Sequence, residues 1–463
     1  FACADAQALE SAWMHWIPCL LWVLLACTAL PAALPHRPSA LVILADDMGY
    51  GDLAANGATD LRTPHLDALA AAGLRFTAMR ANATVCSPSR AALLTGRHPD
   101  RVGVPGVIRT RPKESWGWLS PSVPTLANEL KAAGYHSAMI GKWHLGLEQE
   151  ADPLARGFDF FHGFLGDMMD SYTRHLRHGI NYMRRNREVI EPEGHATDLF
   201  AQWACDYLRQ QAAQSPGQPF FLYLAFNAPH FPIEPPERFL QMVRARSPQL
   251  DAKRAANVAF VEHLDEAVGR VLECLRDLGL ERQTVVAFSS DNGGSLPHGQ
   301  SNLPWRGGKQ DHYDGGLKVP FLLRWPGVIS PGQCDDQGQL FDLFPTLLEL
   351  AGLQPNPQLD ARSLVPLLLG GKREPRPLYF VRREGGPQYG GNSYEAIIME
   401  GWKLMRNHPY SPMELYHLDR DPQEQHNLAG KAGAVQARLQ SALEREIQRG
   451  GSVPWQRQEA SKP

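Results

Sequence analysis

The chain has little that would draw it to a polyanion. Its 46 Lys and Arg nearly balance 49 Asp and Glu, a formal net charge of −3 over 463 residues. That excludes the basic excess of a nucleic-acid-binding protein and leaves any pull on an anionic ligand to local patches. Cysteine is scarce. Of seven, Cys3, Cys19 and Cys27 fall in the first 36 residues, leaving Cys86, Cys205, Cys274 and Cys334. Four scattered cysteines are no disulfide framework, and Cys205 and Cys274, set in amphipathic helical patterns, read as small core residues. There is no internal repeat and no low-complexity tract, so solenoids and propellers are excluded.

One long apolar run is present, 16–34, interrupted only by Thr28 and followed by small residues. It reads as an export leader over 1–36, with a retained membrane anchor as the rival because the run is near the lower length limit for spanning. Leu24, Leu25, Ala26 and Cys27 approximate a bacterial lipoprotein cleavage site, and Met14 is a candidate start. The expected location is therefore outside the cytoplasm, with membrane contact only through the leader.

What remains is ordinary globular composition, 43% hydrophobic and 21% charged, enough for one large α/β domain and a smaller one. Short apolar runs at 40–44, 137–140, 220–226, 284–289 and 319–324 read as strands. They alternate with helical patterns at 63–72, 89–94, 125–133, 198–211, 252–278 and 340–350. That alternation predicts a mostly parallel central sheet flanked by helices over 37–370. After residue 370 the texture shifts to short strands at 377–382, 394–400 and 402–406 and a polar helix at 432–449, predicting a smaller α+β domain with an antiparallel sheet over 371–463.

In parallel sheets ligands gather at the carboxyl ends of the strands. The first predicted strand ends in Asp46 and Asp47, the fourth in Asp291 and Asn292 before two glycines. An Asp-Asn-Gly-Gly run is also a turn signal. Taken together, three carboxylates and an amide oxygen form a hard-oxygen set for Ca²⁺ or Mg²⁺ rather than zinc. Lys142 and His144 follow the second strand, and Asn227 to His230 follow the third. Arg90, four residues after Cys86 on a predicted helix, shares its face.

The run Cys86-Ser87-Pro88-Ser89-Arg90, followed by Leu94-Thr95-Gly96-Arg97, resembles the signature of the sulfatase family, closest to the arylsulfatase A and B type of the alkaline-phosphatase-like superfamily. The resemblance extends from Leu41 through the C-terminal region. It implies a sulfuric ester hydrolase in which Cys86 is oxidised to Cα-formylglycine by a formylglycine-generating or anaerobic sulfatase-maturating enzyme. One hydroxyl of the hydrated aldehyde attacks sulfur, and the other, once deprotonated, expels sulfate. It implies one Ca²⁺ on Asp46, Asp47, Cys86, Asp291 and Asn292, and assigns Arg90 to the aldehyde hydrate and Lys142 to the bridge between it and sulfate. His144 becomes the base, His230 the general acid with a protonated imidazole, and Lys309 its helper. The expected substrates are sulfate monoesters, aryl sulfates in vitro and sulfated small molecules or glycans in nature.

The chain departs from the pattern after Lys309. Lys318 stands where an Arg is expected, and Asp311 and His312 are unusual, which clouds the substrate edge. Asp170 or Ser171 is a candidate for a further sulfate contact. The segment from Arg174 to Arg187 is locally basic and reads as a solvated charged face, with a sulfated glycan as the alternative occupant. Asn82-Ala83-Thr84 matches a glycosylation triplet. Two rival functions stay open: a phosphodiester or phosphonate monoester hydrolase of the same superfamily, and a non-catalytic sulfated-glycan binder with Cys86 left as a thiol.

Overall fold

The computed structural model describes residues 37–384, 392–408 and 410–456. The expected leader over 1–36 lies outside them. Among the described residues no helix is long and apolar enough to cross a membrane.

The apolar runs become strands because each is buried on both faces, as a parallel sheet between helical layers requires. Together with shorter, more exposed edge strands they make, in chain order, β1 Ser39–Ala45, β2 Leu74–Phe76, β3 His136–Lys142, β4 Phe160–Phe164, β5 Met183–Arg185, β6 Glu188–Val189, β7 Phe220–Ala225, β8 Thr284–Ser290, β9 Phe321–Arg324 and β10 Gly332–Cys334. They form one sheet in the order β10-β2-β9-β8-β1-β7-β3-β4-β5-β6. The central five, β8-β1-β7-β3-β4, are all mutually parallel, with Leu41 opposite Leu222 on one side and Val286 on the other. Antiparallel partners occur only toward the edges.

The helices of seven residues or more are α1 Pro64–Ala71, α2 Cys86–Thr95, α3 Leu126–Ala132, α4 Ala196–Gln214, α5 Glu237–Arg246, α6 Ala252–Asp277, α7 Leu343–Leu350 and α8 Gly433–Arg449 among the described residues. The longest, α6, starts where the Asp251 side chain accepts hydrogen bonds from the amides of Lys253 and Arg254, satisfying two of the free first-turn donors. A second sheet holds β11 Leu378–Glu384, β12 Asn392–Met399, β13 Trp402–Arg406 and β14 Glu414–His417, antiparallel throughout and backed by α8.

Several elements escape the sequence reading, β4 and α5 among them. In β4 the polar His162 and Gly163 break the apolar run, but the glycine is what lets β4 close on β3: a Cβ there would lie 2.0 Å from the carbonyl of Gly141. The helix α5 buries only Phe239 and Val243, too sparse a stripe to declare itself against its polar surroundings.

Two buried histidines join the halves of the molecule. His98 lies 5.1 Å from both the Phe341 and Tyr379 rings, and the His312 ring stacks beside Tyr394. Burial, with Arg101 near the first and Lys403 near the second, pushes His98 well below the usual histidine range and His312 down to about 3. Folding therefore holds them neutral, and the unfolded chain binds more protons below its own histidine pKa of about 6.5. Their stabilisation is fully present above about pH 6.5 and drains as pH falls toward the folded values, at up to about 1.4 kcal/mol per pH unit for each. Thermal unfolding followed by circular dichroism should give a Tm that drops steadily from pH 7 to pH 4.5, with a flatter profile for His312→Phe. A Tm that stays level over that range would dismiss the idea.

Candidate active site

The four central strands end along one edge, and each delivers chemistry there. β1 runs out into Asp46 and Asp47, β8 into Asp291 and Asn292, β3 ends on Lys142 with His144 two residues on, and β7 leads through Asn227 to His230. Asp47 and His144 both take left-handed backbone conformations, φ 66° and 59°. Such conformations are uncommon for residues other than glycine and cluster where geometry is imposed by function.

Cys86 arrives from the other side, as the first residue of α2. Helix α2 begins three residues earlier than the apolar pattern suggests, because Pro88 in the first turn costs no intrahelical hydrogen bond. The Ser89 hydroxyl fixes the entry, accepting from the Ala83 amide and donating to the Ala83 carbonyl. Gly96 ends the helix at φ 65°, where a side chain would strike Phe344 at 2.9 Å. Cys86 and Arg90 sit one turn apart, with the positive end of the helix dipole at the cysteine.

The residues predicted to hold the metal and carry the chemistry meet in this one place. Cys86 Sγ donates to Asp46 Oδ1 at 3.2 Å and lies 3.9 Å from Asp47 Oδ1, while Lys309 Nζ stands 3.7 Å from the sulfur. Lys142 Nζ donates to Asp46 Oδ2 and Lys309 Nζ to Asp47 Oδ2, at 2.5 and 2.7 Å. Arg90 Nε donates to Asp291 Oδ2 at 2.9 Å and its Nη1 to the Lys142 carbonyl at 3.1 Å. The Asp47 amide donates to Asp291 Oδ1 at 3.1 Å, and Asn292 Nδ2 to Asp47 Oδ1 at 2.7 Å. Only Lys309 keeps appreciable exposure, at 13% of its side chain, so the opening lies on its side.

Burial and charge then divide the protons. Burial alone would raise Asp46, but Lys142, His230, Arg90 and Lys309 overrule it and hold the carboxyl well below its usual range. Burial together with Asp291 and Asp46 pushes the Cys86 thiol well up, so sulfur here stays protonated. Lys309 is raised by Asp47 against its burial and stays charged. His144 Nε2 donates to the Ile108 carbonyl at 2.7 Å, which leaves Nδ1 with a lone pair and no partner; burial and Lys142 keep this ring neutral. The expected protonated imidazole at His230 does not describe the substrate-free pocket. Burial and Lys309 push it down to about 4, its Nδ1–H is spent on the Phe231 carbonyl at 2.6 Å, and Nε2 stands 3.6 Å from Asp47 Oδ2.

The donor set fits a hard divalent cation. Three buried carboxylates converge, Asp291 is pushed up by burial and the neighbouring Asp46, and Asn292 Oδ1 is a buried acceptor with no donor. These are hard oxygen atoms gathered in one buried place, one of them without a donor, the kind of set that suits an ion such as Ca²⁺.

The structure also finds a residue that the sequence reading passed over. Tyr172, buried and two positions beyond the candidate Asp170, donates its hydroxyl to the carbonyls of Asn227 at 2.7 Å and His230 at 2.9 Å, fixing the loop that carries His230. Nothing in the local pattern marks it, because its partners are 55 and 58 residues away. Tyr172→Phe leaves the buried His230 carbonyl without a donor, while the Asn227 carbonyl keeps the His230 amide, at about 1–3 kcal/mol of stability, and is expected to lower kcat about tenfold through misplacement of His230. Steady-state kinetics beside a melting curve will test this; an unchanged kcat would show that the loop is fixed by other means.

Other candidates turn out to be engaged elsewhere. Asp170 accepts from Arg177 and from the His178 amide, and Ser171 pairs with Thr173. Lys318 does not reach toward the opening but lies 3.4 Å over the Trp305 ring, beside Asp314. In the basic segment, Arg177 is paired with Asp167 and Arg187 with Asp152. Asn82 is fully buried, with its Oδ1 accepting from the Phe341 amide, so the triplet offers no accessible acceptor for a glycan.

A family profile named sulfatase matches residues 38–353, and one for the C-terminal part of N-sulphoglucosamine sulphohydrolase matches 308–450. The chain is 36% identical over 409 residues to N-acetylgalactosamine-6-sulfatase of Mus musculus, spanning 83% of this chain and 75% of that protein. It is 34% identical over 470 residues to arylsulfatase A of Homo sapiens, spanning 92% and 90%. Among solved structures, that of Ps i-CgsB in complex with k-i-k-neocarrahexaose superposes with a TM-score of 0.82 at 27% identity, covering 91% of this chain and 95% of the other.

Proposed function

Because the chain belongs to the sulfatase family and hydrolyses sulfate esters, we propose that it does so with Cys86 converted to Cα-formylglycine and one calcium ion held by Asp46, Asp47, Asp291 and Asn292. The observation that carries this reading is the position of the Cys86 side chain, between the acid cluster and Lys309, where its thiol is kept protonated. A protonated thiol is a poor nucleophile. A maturation enzyme that replaces it with a hydrated aldehyde supplies an oxygen nucleophile at the same point. When bound, the cation neutralises acid charge, lowers the pKa of that hydroxyl and gathers sulfate oxygens.

The protein's own groups do the rest. Arg90, Lys142 and Lys309 balance the three carboxylates one for one, so a divalent ion leaves a surplus of positive charge facing the sulfuryl group, fixed before the reaction begins. His144, neutral and with its Nε2–H committed to Ile108, has Nδ1 free to accept the proton whose removal releases sulfate. Lys309 brings a permanent charge to the departing oxygen. His230 gains its proton only as the anionic substrate offsets Lys309, which makes it an acid of the complex rather than of the free enzyme.

The proposed natural substrates are sulfated carbohydrates. The similarity to an N-acetylgalactosamine-6-sulfatase and to the structure of Ps i-CgsB in complex with k-i-k-neocarrahexaose supports this. Export through the leader fits a substrate met outside the cell. In the same reading 37–370 is the catalytic domain and 371–463 a smaller one that supports it. The test is a parallel assay of aryl sulfate, phosphodiester, phosphonate monoester and sulfated mono- and oligosaccharides, with mass spectrometry of the tryptic peptide containing Cys86. Sulfate release with an aldehyde at position 86 is expected. Full activity from a chain whose Cys86 is entirely thiol would overturn the mechanism, and faster turnover of phosphonate than of any sulfate would overturn the substrate class.

A further inference from the structure

Cys205 and Cys274 take no part in the chemistry above. They lie on α4 and α6, two long helices packed side by side on the central sheet. Cys205 Sγ donates to the carbonyl of Arg270 at 3.7 Å, and Cys274 Sγ to the carbonyl of Cys205 at 3.7 Å. The Arg270 carbonyl is four residues before Cys274, the one that pairs with the Cys274 amide within α6. Each sulfur therefore rests on the backbone turn of the other cysteine. Neither coincidence is needed for two cysteines that merely fill the core, because a small apolar side chain would pack there as well.

We propose that Cys205 and Cys274 form an oxidisable dithiol that closes into a disulfide stapling α4 to α6. With the sulfurs seated this way, the neighbouring Cys205 thiol draws the Cys274 thiol below its usual range, while the Cys274 thiol and burial push Cys205 up. That asymmetry makes Cys274 the attacking sulfur. With a small disulfide such as oxidised glutathione, the Cys274 thiolate attacks one sulfur and expels one glutathione thiolate, forming a mixed disulfide. Cys205 then loses its proton, attacks the Cys274 sulfur and expels the second glutathione. Two protein thiols and one oxidised glutathione become one protein disulfide and two reduced glutathiones. The bond would close a loop of about 70 residues, long enough to remove much entropy from the unfolded chain. The other two described cysteines sit elsewhere, Cys86 in the active site and Cys334 on β10.

The test equilibrates the full-length chain in glutathione buffers from reducing to oxidising. Remaining thiols are then capped with N-ethylmaleimide in denaturant, and unreduced tryptic peptides are mapped. One cross-linked species is expected, joining the Cys205 and Cys274 peptides and lighter than their sum by two hydrogens, together with a Tm a few degrees above that of the reduced protein. Cys205→Ser and Cys274→Ser should each remove the cross-link and the redox dependence of Tm, and Cys334→Ser should remove neither. Recovery of both peptides singly capped from the most oxidising buffer overturns the proposal, as does a glutathione adduct on Cys274 that never proceeds to the cross-link. The peptide map of the unmutated chain decides the question even where a serine variant folds poorly.

Discussion

Cys86→Ala is expected to lower sulfate-ester turnover by at least about 10⁴-fold, the scale on which removal of a covalent nucleophile acts. The fold should survive nearly intact. The side chain is small, and the helix that carries it is fixed by Ser89, by the Thr95 hydroxyl on the Ala91 carbonyl and by the Gly96 cap rather than by the sulfur. Removing one buried sulfur should cost about 1 kcal/mol through the small cavity left behind. The measurement is kcat and Tm of the same preparation, and the informative combination is lost kcat with a Tm within a few degrees of the parent. Retention of more than a few per cent of turnover would mean that attack on sulfur comes from another group or from water. A collapsed Tm would mean that Cys86 was holding the pocket together, contrary to the network that Arg90 and Lys142 make around it.

Stripping the cation is expected to have the second largest effect. Dialysis of matured enzyme against a calcium chelator should lower kcat by about 10³-fold or more, since in the proposed mechanism the ion carries both charge stabilisation and hydroxyl activation. It should also lower Tm, because an ion bound only by the folded state stabilises it by mass action. Calcium should restore both. Asp291→Ala should mimic the dialysis and resist rescue, because it removes one ligand and also leaves the Arg90 guanidinium without its strongest partner in a fully buried setting. Elemental analysis decides the outcome. Full activity in a preparation free of calcium, magnesium and zinc would eliminate the metal, and recovery with zinc but not calcium would contradict the all-oxygen character of the ligands.

The catalytic strands were legible because parallel strands buried on both faces are written as unbroken apolar runs, and their polar successors mark the sheet edge. Thus Asp46, Asp47, Lys142, His230 and Asp291 could be located without coordinates, as residues that follow such runs. The start of α2 was misplaced because a proline inside a helical pattern normally argues for an end, and only the geometry shows Pro88 in the first turn. The edge strands β5 and β6 were invisible, being two or three residues long and half-exposed, with no periodicity to read. The link between the two sheets was equally hidden. Asp314 binds Arg80 and Lys403, its amide donates to Glu424, and two residues on the Gly316 carbonyl accepts the Gly293 amide beside Asn292. The antiparallel sheet thus braces the loop that carries Asn292.

The sequence by itself determined the parallel sheet, the carboxylates, lysine and histidines that follow its strands and the edge at which they gather, because burial pattern and strand ends are local properties of the chain. Only the tertiary structure decided how those groups share protons. The protonated thiol at Cys86, the neutral His144 with its free lone pair, the low pKa of His230, the anchoring by Tyr172 and the meeting of Cys205 with Cys274 all arise between residues dozens to hundreds of positions apart. Electrostatics and hydrogen bonding depend on distance in space and on exclusion of water, neither of which a linear order of residues records.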